Sequence, residues 1–232
     1  MLALESVSRI LYREFVAGKT WFDWLFLVFG ILLQVLVYVW HPASPVMIVS
    51  GLSGVCAVVL CSQGRISSFF FGFVQVVTYA VITFNERLYA ETAVNVFYFI
   101  TMIYGVYVWI RHYGVDASTD ANVVQVRRLS ALNAVILFVL TFAVSAALAL
   151  LLSAHTDDSQ PWLDAFTTVP SFVAQVLMIV RFREHWWLWL VVDVLSVAMW
   201  VVAANWSMAA LYAFWCLNCL YGFRNWVRNT AA

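Results

Sequence analysis

Charge is what this sequence has least of. Asp, Glu, Lys and Arg make up 10% of its 232 residues, and 65% are hydrophobic. A soluble domain carries about 25% charged residues, so a water-soluble globule is excluded. Cysteine is scarce as well. Cys56, Cys61, Cys216 and Cys219 all sit inside apolar stretches, which argues against a disulfide scaffold. Cys216-x-x-Cys219 has redox-motif spacing but no strand before it, and small-residue packing is the favoured reading. Basic and acidic residues cancel at twelve each, so net charge marks no nucleic-acid or other charged partner. There is no Gly-rich phosphate loop or Walker motif, so this chain does not itself hydrolyse a nucleotide to drive transport. No nucleophile stands beside a base. His41, His112, His155 and His185 are read as lying in separate loops, too scattered for a metal site. No enzyme, metal or cofactor is expected.

What is present is length of apolar chain. Eight stretches, 21–40, 45–62, 66–84, 88–110, 129–153, 161–181, 186–204 and 207–228, are long enough to cross a hydrocarbon core about 30 Å thick. Their helical lengths exclude an outer-membrane barrel, whose strands alternate over about ten residues. Ahead of them, residues 1–20 hold five charges and no uninterrupted apolar core, so no cleavable leader is expected. Leu4, Val7, Leu11 and Phe15 lie opposite Arg9, Arg13 and Glu14, the pattern of a short interfacial helix. With the N-terminus inside, the inner loops hold eleven of the twelve Lys and Arg residues, and the outer loops hold only Arg87. That asymmetry places both termini in the cytoplasm.

The chain also repeats itself. Residues 63–84 align with 181–202 at a spacing of 118, pairing Arg65 with Arg183, Phe71 with Trp189 and Gln75 with Asp193. After a one-residue slip, Tyr104–Trp109 aligns with Tyr221–Trp226. An odd number of spans per repeat and one linking span give parallel repeats about the membrane normal, one of two repeat types seen in transporters. The expected organisation is 1–44, an interfacial segment and an extra span; 45–110, a first triple-helix bundle; 111–153, a loop and linking span; and 154–232, a second bundle with its terminus.

One stretch stands out, RFREHWWLWLVVDVLSVAMWVV at 181–202. Asp193 lies about 12 Å along the helix expected from about residue 186, at 1.5 Å per residue, and Trp186, Trp189, Ser196 and Trp200 share its helical face. A carboxylate deep in an apolar helix is costly and marks a functional site. Gln75 is its expected counterpart; the plainer reading of Gln75 is a helix-packing hydrogen bond worth about 1 kcal/mol. Asn95 and Tyr98 on one helix, and Trp215 and Asn218 on another, offer a second wall. Asn brings two donors and an acceptor, suited to a carboxamide or vicinal hydroxyls. Asp164, Thr167, Thr168, Ser171 and Gln175 form a polar track past Pro170, which should kink its helix. Ser and Thr in such a track more often bond their own backbone, so Gln175 is the member singled out. The candidate substrate-binding set is Trp186, Trp189, Asp193, Gln75, Asn95, Tyr98, Trp215, Asn218 and Gln175.

Leu88-Tyr89-Ala90 with Asn95, Tyr104-Gly105 through Trp109, Asp164 with Thr167-Thr168 and Gln175, Glu184-x-Trp186-x-x-Trp189 with Asp193, and Tyr221-Gly222 through Trp226 together resemble the PnuC family of bacterial vitamin transporters. The resemblance covers about residues 45–228, and the stretch 21–40 reads as an addition of this protein. The family often has Asn where Asp193 stands. The resemblance implies an all-α integral membrane fold of eight transmembrane helices. Seven would form a 3+1+3 core of two parallel triple-helix bundles, similar to SWEET transporters, and one helix would be extra at the N-terminus. It implies facilitated diffusion of nicotinamide riboside midway between the bundles of a bacterial inner-membrane protein. A separate cytoplasmic kinase would trap the substrate, and a homo-oligomer is compatible with this arrangement. A Trp face attracts a pyridinium ring by about 2 kcal/mol when desolvated. Asn, Gln and Asp suit the ribose and carboxamide. Two other readings stay open: transport of thiamine, riboflavin or a deoxynucleoside, and a membrane structural or signalling subunit that transports nothing.

Overall fold

The structure is a computed structural model that describes residues 7–41, 43–87, 89–116, 119–157 and 160–229. Leu4 of the interfacial segment and Leu88 of the motif lie outside the described residues. The elements run α1 (Val7–Phe15), α2 (Trp21–Trp40), α3 (Pro45–Ser62), α4 (Ser67–Asn85), α5 (Tyr89–Ile110), β1 (Tyr113–Val115), β2 (Asn122–Val124), α6 (Ala131–His155), α7 (Pro161–Ile179), α8 (His185–Val202) and α9 (Trp206–Arg228). They divide into two compact units, Met1–Gln125 and Val126–Ala232. In the first unit α2 packs on α3, α3 on α4 and α4 on α5; in the second α6 packs on α7, α7 on α8 and α8 on α9.

Helix boundaries follow local chemistry. Thr20 and Asp23 open α2 with a reciprocal capping box, the Thr20 amide donating to Asp23 Oδ2 at 2.6 Å. Ser44 caps α3 ahead of Pro45, and Ser130 caps α6. Seven of the eight long helices, α2 to α8, are long and apolar enough to cross a membrane. The eighth, α9, carries Asn218, Arg224, Asn225 and Arg228 and is not among them. Where a polar loop was expected after α5, β1 and β2 form an antiparallel ribbon pairing Tyr113 with Val124.

The internal repeat has one register throughout, 117 residues, and the 118-residue alignment of α4 with α8 is corrected by it. Gly64 and Arg181, 117 positions apart, are both left-handed at φ 70° and 69°. So are Arg87 and Ala204, at φ 62° and 55°. Arg65 N donates to Leu60 O at 3.0 Å, and Phe182 N to Leu177 O at 2.9 Å, the same helix-terminating turn in each unit. Gly64 O accepts from Val124 N at 3.0 Å, and Arg181 O from Arg127 N at 2.8 Å. The Phe69 ring meets Trp109 edge-on at 5.0 Å, and Trp186 meets Trp226 edge-on at 6.0 Å. Asp193 therefore corresponds to Val76 and not to Gln75. Arg65 and Arg183 matched as letters, but the turn that stops α3 and α7 sets the register.

Candidate functional site

In the second unit α8 and α9 pack together and carry five of the nine candidates, of which Trp186, Asp193 and Asn218 lie between them. Asp193 is buried on α8 and accepts a hydrogen bond from the Cys219 thiol of α9, Sγ to Oδ2 3.3 Å. Asn218, beside Cys219, is 0% exposed, and neither Oδ1 nor Nδ2 has a hydrogen-bond partner. A buried amide left unpaired costs about 1–3 kcal/mol. Neither its donor nor its acceptor function is used by the protein.

Trp186 is buried one helical stretch before Asp193. His185 lies against its ring at 4.4 Å, Trp226 meets it edge-on, and Gly222 sits beneath it. A Cβ at position 222 would fall 2.5 Å from Cζ2 of that indole, so glycine is what lets the ring lie down. The Trp186 Nε1 donor has no hydrogen-bond partner. His185 itself was read as a loop residue; it is the first residue of α8 and is fully buried. Its Nδ1 lies 2.7 Å from Phe182 O, which fixes the proton on Nδ1 and leaves Nε2 as an unpaired acceptor. Three buried ring systems, those of His185, Trp186 and Trp226, hold the start of α8 against α9.

The other candidates are less convergent. Trp189 packs on a core of Ala174 and Leu177 of α7 and Leu188 of α8. Gln175 is buried next to Ala174. Trp215 is half-buried on α9 with its ring 5.2 Å from Phe214. In the polar track of α7, Thr167 donates to Leu163 O at 2.9 Å and Ser171 to Thr168 O at 2.8 Å, so both bond their own helix. In the first unit, Gln75 lays its Cγ over Gly54 of α3. Asn95 is buried, and its Nδ2 donates to Glu91 O one turn back at 2.8 Å. Tyr98 is half-buried beside Phe97. Sequence reading missed the Cys219 thiol as the partner of Asp193 and Gly222 as the seat of Trp186. The i, i+4 step from Gly222 to Trp226 on one face of α9 was the available signal.

Apolar helices of spanning length, enclosing buried polar side chains with unspent hydrogen-bonding capacity, define a polytopic membrane protein. The comparisons agree. The nicotinamide mononucleotide transporter family model matches residues 44–228. The nicotinamide riboside transporter PnuC of Neisseria mucosa is 31% identical over 93% of this chain and 84% of its own length. The protein of that name from Haemophilus influenzae is 32% identical over 96% of this chain and 97% of its own. A crystal structure of the vitamin B3 transporter PnuC superposes with a TM-score of 0.80 at 29% identity, covering 97% of this chain and 98% of that one. The chain belongs to the PnuC family of membrane transporters. These alignments also correct one expectation: they leave too little of the chain uncovered to omit α2, so α2 is shared with these relatives and is not an addition of this protein.

Proposed function

We propose that this chain carries nicotinamide riboside across a bacterial inner membrane by facilitated diffusion, with a cytoplasmic kinase trapping the product. The observation that carries this reading is Asn218, fully buried with both amide atoms unpaired. A primary carboxamide such as that of nicotinamide is its reciprocal partner, donor to acceptor and acceptor to donor. Asp193 beside it would take the ribose diol and offset the pyridinium charge. Trp186 would form the floor and Trp189 a ring wall, with Gln175, Trp215, Gln75, Asn95 and Tyr98 as further contacts. The family description names the mononucleotide, and the curated relatives name the riboside. A phosphate beside the carboxylate of Asp193 would be repelled, and the Asp193–Cys219–Asn218 cluster brings no basic side chain to offset it. The riboside is therefore favoured.

The proposed topology is the 3+1+3 core plus α2, with both termini cytoplasmic as the distribution of Lys and Arg supports. α9 would be the eighth span; its 23 residues reach about 34 Å. Its polar residues, which keep its hydropathy low, include Asn218 at the site.

The test is calorimetric titration with nicotinamide riboside, its mononucleotide, thiamine and riboflavin, together with radiolabelled uptake into empty liposomes. Saturable binding and equilibrating flux of the riboside are expected. Tighter binding of the mononucleotide would overturn the substrate assignment. Absence of flux with every compound would overturn transport itself.

A further inference from the structure

Val7, Ile10, Leu11 and Glu14 share one face of the short helix α1, at i, i+3, i+4 and i+7. Along that face Val7, Ile10 and Leu11 are 73%, 45% and 51% exposed, whereas Glu14 in the last turn is 7% exposed. The last turn is bonded in detail. Ser67 N, at the start of α4, donates to Glu14 Oε1 at 2.8 Å, and the Tyr113 hydroxyl donates to Glu14 Oε2. The Tyr113 hydroxyl also accepts from Ile66 N at 3.0 Å. Burial first, and the Glu14 carboxylate second, hold the Tyr113 phenol above its ordinary pKa, so it stays a donor. Arg65, itself buried, donates to Arg13 O at 2.6 Å, to Asn122 O at 2.9 Å and to Ala17 O. Arg13 closes on Asp120 at 2.8 Å.

The position this carboxylate serves is one the repeat explains. α4 starts after Ile66 with no side-chain cap of its own. A helix N-terminus leaves amides unpaired and favours a negative charge. At the corresponding place in the second unit, 117 residues after Ser67, stands Glu184, a buried carboxylate at the start of α8 that pairs with Arg183 and accepts no hydrogen bond from a helix amide. The first unit lacks an acid at that place and receives one from α1.

We infer that α1 is a strap lying in the membrane surface, its Val7–Ile10–Leu11 face in lipid and its Glu14 capping α4. Lipid, and not a protein partner, is the occupant because the face is continuous with an apolar surface that enters the bilayer. Six residues after α1 the membrane span α2 begins at Trp21, which is 77% exposed and followed by exposed Phe22, Leu25, Val28 and Phe29. Lys19, between the two helices, stands 4.8 Å over the ring of Trp24, an amphipathic pair suited to the headgroup level. The face that seats Glu14 on the protein carries Val7, Ile10 and Leu11 out beyond it, and the surface beside a spanning helix is lipid.

Two measurements on the full chain in phosphatidylethanolamine–phosphatidylglycerol vesicles test this. With Leu11 replaced by the photoreactive p-benzoylphenylalanine, illumination should yield lipid adducts at that position by mass spectrometry. Chain-to-chain adducts alone, or no adducts, would overturn the lipid assignment. In hydrogen exchange, Glu14→Ala should speed exchange at residues 66–70 about tenfold or more, as loss of a charge-assisted bond requires. Glu14→Gln, which still offers Oε1, should restore part of the protection. Unchanged exchange in Glu14→Ala would overturn the capping role. Neither outcome depends on which solute the protein carries.

Discussion

Asn218→Leu should make the empty protein more stable and the loaded protein less so. Leucine reproduces the forked outline of asparagine with methyl groups in place of Oδ1 and Nδ2. Both of those atoms are buried and unpaired. Their desolvation costs about 1–3 kcal/mol, and an apolar group of the same shape removes that cost. Refitting two slightly larger methyls takes back up to about 1.5 kcal/mol. The net gain is on the order of 1 kcal/mol, an upward melting shift of about 2–4 °C on the scale of a chain this size. Ligand reverses the order. At a hundred times its Kd, nicotinamide riboside stabilises the wild type by about 2.7 kcal/mol, and the variant, without its amide, gains little. Thermal unfolding followed by tryptophan fluorescence, with and without the riboside, reads both signs in one experiment. A variant that melts below the wild type when empty yet keeps the ligand shift would refute the argument, because Asn218 would then be a structural residue.

Two further expectations follow from the geometry. Gly222→Ala would normally stabilise a helix by up to about 1 kcal/mol. Here the new Cβ meets Trp186, which His185 and Trp226 keep from moving, so overpacking should instead cost about 1–3 kcal/mol. A raised melting temperature for this variant would show that the indole can shift. Lys19, outside the spans, is pushed down to about 8 from 10.5 by burial first and by the nearby Arg65 guanidinium second. Between those values the unfolded chain holds more protons than the folded one, so stability should rise with pH from about 8 to 10.5. Lys19→Met should be more stable at pH 7 and lose that rise. Melting curves for the two proteins that stay parallel from pH 7 to 10.5 would exclude the effect.

Much of the fold was legible because membrane helices are written in long apolar runs and ended by short, strongly biased signals. The starts expected at 21, 45 and 161 are those of α2, α3 and α7, where the structure places the Thr20–Asp23 capping box, Ser44 with Pro45, and Pro161. The repeat was visible as well, but its register was not. Identical letters at Arg65 and Arg183 outweighed a backbone fact that letters do not carry: Arg181, a bulky residue, adopts the left-handed conformation that Gly64 adopts in the first unit. The candidate site was legible where a residue is costly wherever it lies, as with Asp193. It was not legible where meaning depends on neighbours. Trp186 and Trp189 look equivalent in a Trp-x-x-Trp motif, yet one is pinned against α9 and the other lies on the α7 core. Cys219 reads as a small packing residue and Gly222 as one member of a motif, and only their distances to Asp193 and Trp186 show what they touch.

The corrected register changes what the repeat says about mechanism. Under the 118-residue alignment, Gln75 and Asp193 would have been a symmetric polar pair, one contributed by each unit. At 117 the correspondences are Val76 with Asp193, Met102 with Cys219 and Thr101 with Asn218. Val76 and Met102 are buried apolar residues. Thr101 donates to Phe97 O and Tyr98 O at 2.9 and 3.0 Å, so its hydroxyl is spent on its own helix. The framework is held in common: the left-handed turns, the edge-on ring against a buried Trp, and the loop carbonyls that accept from the following strand or chain. What differs is the chemistry placed on it. Along matched helix faces the first unit is apolar or internally satisfied, while the second carries a carboxylate, a thiol and an unpaired amide. Burial of an unpaired polar group is a cost that packing alone would remove, as the first unit demonstrates with the same backbone. Its persistence in α8 and α9 is the feature on which the proposed site rests. Recognition should depend more steeply on Asp193 and Asn218 than on Gln75.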